Sequence, residues 1–152
     1  MRRADLPWSG LALCLAVGSL ATLGEADELA SGQLTVVVTG FTSDEGRAVI
    51  ALIDSEETYD DEGEAYRSAM PAISQGQATA VFDDVAFGVY AIKVFHDAND
   101  NRRLDTNFMR IPKESFGFSN DAMGRFGPPR FSEASFEFRS RSQTLEIAVV
   151  DF

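Results

Sequence analysis

Asp97, Asn99, Asn101 and Asp105 stand at the first, third, fifth and ninth positions of one polar run, and Arg103 stands at the seventh. Oxygen-bearing side chains at alternate positions suit a hard divalent cation, since calcium takes roughly six to eight oxygens from a loop that folds back on itself. In such a loop the seventh residue, here Arg103, contributes its backbone carbonyl. The fit has two gaps. The sixth position, where the sharp turn favours glycine, is Arg102, and the twelfth, where a bidentate glutamate closes the shell, is Phe108. A closing carboxylate then has to come from Asp100, Glu114 or Asp121, and Arg102 at positive φ costs about 1–2 kcal/mol. The same spacing suits an Asx-rich turn that caps its own backbone with no metal. Both readings stay open. An ion held this way binds weakly, with Kd of about 10⁻⁴–10⁻³ M.

Other chemistries are bounded by what the chain lacks. His96 is the sole histidine, so a zinc site of several imidazoles is impossible. A serine–histidine–acid triad would have to use that one ring with Ser115, Ser119 or Ser132, and no Gly-x-Ser-x-Gly elbow is present. A hydrolase built on His96 with Asp97 or Asp105 is the remaining enzymatic reading; a ring that pins the end of a strand by hydrogen bonds is the simpler one. No phosphate-binding glycine loop or dinucleotide motif occurs. Catalytic and cofactor-binding residues are therefore assigned to none.

Asp and Glu number 24 against 13 Lys and Arg, for a net charge of -11. Such a surface repels phosphate backbones, which excludes nucleic acid as a partner and disfavours anionic membranes. At the start, Arg2 and Arg3 precede an apolar run from Leu11 to Leu23 and then small residues, the layout of a secretory signal over residues 1–26. The run is short for a spanning helix, which needs about 20 apolar residues, so no stable membrane insertion is expected after cleavage. Cleavage after Ala26 removes the lone Cys14 and the lone Trp8, leaving no disulfide or thiol chemistry. The expected location is periplasmic or extracellular.

The elements that would position the loop read as strands. Leu34, Val36 and Val38 alternate with Thr35, Val37 and Thr39, and positions 48–53 are apolar throughout, as in a strand covered on both faces. These two segments read as a hairpin. An acidic stretch, 54–76, reads as a solvated loop with a helical turn or one short strand. Ala78, Ala80 and Phe82 share a face, and after a turn Tyr90, Ile92 and Val94 share another. The spacing of Phe82, Val85, Gly88 and Tyr90 resembles the hairpin of transthyretin-like and carboxypeptidase-regulatory-like β-sandwiches, with Gly88 at positive φ and the Tyr90 hydroxyl bonded nearby. Residues 97–130 show no sustained period; Phe108, Phe116, Phe118, Phe126 and Phe131 predict an ordered loop whose rings plug the core. Phe136 and Phe138, then Leu145, Ile147 and Val149, mark the last two strands. The whole predicts an all-β fold: a single antiparallel Ig-like or transthyretin-like sandwich of about seven strands over residues 33–152, with one long ordered loop.

With those residues in view, the chain resembles a family of secreted bacterial proteins catalogued as a domain of unknown function (number two-one-four-one). The resemblance rests on Phe95-His96-Asp97 with Asn99 and Asn101, Leu104-Asp105-Thr106-Asn107, Ile111-Pro112, Gly117-Phe118-Ser119-Asn120 and Arg125-Phe126-Gly127-Pro128-Pro129. It spans roughly residues 34–151 and implies a signal peptide followed by one small β-sandwich. The family commonly carries glycine where this chain has Arg102, and it implies no activity. The expectation is a non-enzymatic exported module with calcium as its only candidate cofactor, in the 97–105 loop. The alternative is a binding module that uses the 108–130 loop for a protein, glycan or small ligand.

Overall fold

The computed structural model describes residues 30–60, 64–109 and 111–151. The expected leader at 1–26 lies outside them. The alternation at Leu34, Val36 and Val38 becomes strand β1 (Ser31–Thr39), those three side chains being fully buried. The apolar run becomes β2 (Arg47–Ile53), and the acidic stretch yields both a short helix, α1 (Glu56–Asp60), and a short strand, β3 (Arg67–Ala69). Then come β4 (Gln77–Ala86), β5 (Gly88–Asp97), β6 (Phe116–Phe118), a 3₁₀ turn at Ser119–Asp121, α2 (Phe131–Ala134), β7 (Phe136–Phe138) and β8 (Ser142–Ala148). The chain is all-β, with eight strands among the described residues rather than about seven. No described helix is long and apolar enough to cross a membrane.

The strands form two sheets, one ordered β4-β1-β8 and the other β3-β2-β5-β6, with β7 also paired to β5. This corrects two expected hairpins. β1 and β2 lie in different sheets, and so do β4 and β5; the chain crosses between sheets at each turn instead of doubling back. Alternation says which face a strand buries, but it does not say which strand lies beside it. The wholly antiparallel arrangement is also corrected, because β1 and β8 run parallel. That pairing sets Val36 beside Leu145 and Val38 beside Ile147, stacking apolar side chains in one layer.

Between the sheets lies one core. Leu34, Val36, Ile50, Leu52, Ile92 and Phe138 are each wholly withdrawn from water, which contributes about 1.5–3 kcal/mol apiece. Tyr90 packs there too, with its hydroxyl donating to the Ala86 carbonyl at 2.8 Å. Gly88 is not at positive φ. Its role is space: a Cβ there would stand 3.3 Å from the Tyr90 ring. A second cluster of Ile53, Tyr59, Ala91, Phe118 and Ala134 forms on the outer face of the larger sheet, beneath α1 and α2. That cover matters for function because it is partial.

The long loop departs most from expectation. Phe118 is buried and Phe116 and Phe131 are half-buried, but Phe108 is 95% exposed and Phe126 is 102% exposed. Neither plugs the core. Phe108 rides the tip of a tight turn closed by a Thr106–Pro112 bridge. Phe126 rides another, in which Gly124 packs so closely that a Cβ would stand 2.0 Å from the Gly127 carbonyl oxygen. Turns this short hold their tips away from the sheets.

Candidate functional site

The polar loop begins where β5 ends. Arg47 of β2 pairs with Asp97, and His96, one residue earlier, is 4% exposed. The His96 ring donates through Nε2 to the Glu45 carbonyl oxygen at 2.7 Å and stands edge-on to Phe41. Among the described residues no carboxylate or serine hydroxyl is bonded to it. Ser119 is buried, its Oγ accepting from the Ile92 amide and donating to the Ala134 carbonyl, and Ser115 donates to Asp151. These hydroxyls join elements together and do not face a nucleophile's partner.

Asp97 is fully buried, and its two oxygens accept backbone N–H groups, from Asn101 at 2.9 Å and Arg102 at 2.8 Å. This folds the chain back on itself and sets Arg102 at φ 61, in the left-handed region where glycine would carry no strain. Asn99 and Asn101 each accept, through Oδ1, from the N–H two residues on, the Asx turn that short amide side chains make. Their amide groups donate to Asp105: Asn99 Nδ2 to Oδ2 at 2.7 Å, Asn101 Nδ2 to Oδ1 at 3.1 Å. Of the three carboxylates considered for closing the loop, Glu114 is the one that does so. It accepts from the Ala98 amide at 3.1 Å and the Asp105 amide at 2.8 Å. Asp100 instead lies 3.9 Å from Arg47, and Asp121 accepts from the Ala148 amide.

Asp97, Asn99, Asn101, Arg103 and Asp105 are thus gathered into one loop, organised by its own hydrogen bonds. Among the described residues no three carboxylate, imidazole or thiol groups are grouped to hold a metal. A calcium ion would need the Asn99 and Asn101 oxygens as well, turned inward at the expense of their Asx bonds. Arg103 enters the bonding through its amide, which donates to Asn101. Arg125 makes no ion pair with Asp105 among the described residues.

Two features escape a reading of the sequence. One is which of the three candidate carboxylates clasps the loop, since only the return of the chain along His96 and Ser115 brings Glu114 near Ala98. The other is a groove of about 650 Å³ on the outer face of the larger sheet, reaching from Thr58 and Ile53 past Phe118 and Phe116 to Arg102, Arg103 and Leu104. A shallower hollow of about 450 Å³ beside Ser74 and Gln77 has no charged residue in its lining.

A family model described as "Uncharacterized protein conserved in bacteria (DUF2141)" matches residues 36–146, well over half of the chain. The chain belongs to that family. The match takes in the whole polar loop, Glu114 and both exposed turns, so the site described above lies inside the family's domain. No curated protein and no solved structure matches the chain.

Proposed function

We propose that the chain is a non-enzymatic, exported binding module on an Ig-like or transthyretin-like β-sandwich, and that its 108–130 segment meets a partner protein. The carrying observation is the full exposure of Phe108 and Phe126, with Met109, Ile111 and Met123 also exposed. Aromatic and methionine side chains are the residues enriched at protein interfaces. Both tips are also held stiff. The Asn107 Oδ1 accepts from the Met109 and Ile111 amides at 2.8 and 3.0 Å, and Gly124 locks the second turn. A tip ordered beforehand loses less entropy on binding. His96, buried against a carbonyl, offers no solvent-facing base and speaks against the hydrolase reading.

The test is site-specific photocrosslinking in the exporting cell, with a photoreactive phenylalanine at position 108 or 126 and, as control, at exposed Val81. A protein adduct at 108 and 126 but not at 81 supports the reading. Equal labelling at all three, or none, removes it. Amino-terminal sequencing of the exported protein checks the leader.

A second reading, calcium in the 97–105 loop, is favoured by one observation. Asp97, Asp105 and Glu114 form no ion pair with a basic side chain among the described residues, so N–H donors alone offset their charge. Asp97, Asn99, Asn101, the Arg103 carbonyl and Asp105 would hold the ion, with Glu114 behind them. At a hundredfold excess over Kd, a ligand of the folded state adds about 2.7 kcal/mol, a rise of several degrees in Tm. A melt in calcium that matches one in chelator overturns this reading.

A further inference from the structure

The groove on the outer face of the larger sheet has the wrong charge for this protein. Acids outnumber bases nearly two to one in the chain, yet the groove is lined by Lys93, Arg102 and Arg103 and by no described Asp or Glu. Its floor is apolar: Ala51 of β2, Phe95 of β5, and Phe116 and Phe118 of β6, an arrangement fixed by the pairing of Phe95 with Phe116 and of Lys93 with Phe118. α1 and α2 seal this face at the Ile53–Ala91 end and leave the rest open. At about 650 Å³ the space is that of a small-molecule site, roughly 300–1,000 Å³.

The cations differ in availability. The Lys93 ammonium donates to the Tyr59 carbonyl and lies 4.1 Å above the Tyr59 ring, so it is held toward α1. The Arg102 and Arg103 guanidinium groups are exposed and take part in no ion pair or hydrogen bond among the described residues. Their backbone is nevertheless fixed, by Asp97 at the Arg102 amide and by Asn101 at the Arg103 amide. Two forked donors on a rigid turn at the mouth of an apolar trough match one carboxylate.

We propose that this groove binds a single-chain fatty acid, its carboxylate against Arg102 and Arg103 and its acyl chain along Phe95, Phe116 and Phe118. An extended peptide fits less well, because a sheet face offers no free backbone edge to pair with. A polyanion is repelled by the chain's net charge, whereas a monoanion meets the least of that field. The strain at Arg102 gains a purpose, since glycine would make the same turn without presenting a guanidinium. The proposal does not rest on the exposed tips.

The test is calorimetric titration of the chain with dodecanoate below its micellar concentration, and with dodecanol as the uncharged match. The proposal expects saturable one-to-one binding of dodecanoate. It expects about tenfold or greater weakening for dodecanol and for the double variant Arg102→Gln, Arg103→Gln, with Tm unchanged. Ala51→Phe, which fills the floor, should abolish binding, and Phe108→Ser with Phe126→Ser should leave it intact. No saturable heat overturns the proposal, as does binding that survives both the arginine and Ala51→Phe variants. A groove taken by a second copy of the chain would appear as a dimer in sedimentation that dodecanoate does not disperse, which also overturns it.

Discussion

Residues 97–105 and the two turns at 106–112 and 124–128 are near neighbours in the chain and opposite in chemistry. The first is almost all polar, and its polar groups find each other: Asp97 with two amides, both asparagines with Asp105, and Glu114 across the base. The turns carry large apolar side chains that find no cover among the described residues, with Phe108 and Phe126 standing almost wholly in water. Polar groups in a loop can be satisfied locally, because their partners are backbone amides a few residues away. Apolar side chains at a tip need a surface to cover them, and the described residues do not provide it. The loop therefore contributes stability, and contact is the role proposed for the tips.

The strongest way to break this comparison is Asp97→Ala. It leaves the Arg102 amide without its acceptor and the Asn101 amide with Asn99 alone, an expected cost of about 2–3 kcal/mol and a fall in Tm of about 5–10 °C. The paired control, Phe108→Ser with Phe126→Ser, should stay within about 0.5 kcal/mol of the parent. Equal losses in the two variants would mean that the tips are structural after all.

A second loss is expected at high pH, and it lies away from the loop. Burial, then the negative charges of Asp60 and Glu133, pushes the Tyr59 phenol up to about 12. Burial, then Tyr66, likewise raises Tyr90 to about 12. The unfolded chain ionises these groups near 10, so their contribution is complete below pH 10 and is lost as pH rises from 10 to 12. Melts across that range should show the step, shallower in Tyr59→Phe. That variant should be stable at neutral pH, because the Tyr59 hydroxyl is buried without a partner among the described residues.

Smaller effects sharpen the picture. Glu114→Gln keeps the shape but weakens one acceptor and replaces the other with an NH2 that faces an amide N–H, for about 1–3 kcal/mol in a denaturant titration. Arg102→Gly relieves the strain at φ 61 but adds chain entropy to the unfolded state, so a gain of about 1 kcal/mol or less is expected. The same variant should weaken dodecanoate binding. Stability and binding moving in opposite directions would separate the turn's shape from the guanidinium it presents.

Much of this was legible in the residues. The inward faces of β1, β4, β5 and β8 follow from period-two alternation, because successive side chains on a strand point to opposite sides. The loop's membership was also legible, since ligand-type residues at alternate positions within one turn must converge. Partner strands were not, and both expected hairpins failed for that reason. Five phenylalanines in one segment implied burial by composition, yet whether a ring reaches the core depends on the span of its turn.

The sequence by itself determined an acidic, all-β chain with an oxygen-rich polar loop after Asp97, open to an Asx turn or a cation, because charge, alternation and side-chain type are local. Tertiary structure alone decided three things. It set β1 beside β8 rather than β2, brought Glu114 back to clasp the loop, and left Arg102 and Arg103 at the rim of an uncovered sheet face. Each depends on residues far apart in the chain meeting in space, and nothing in local spacing specifies those meetings.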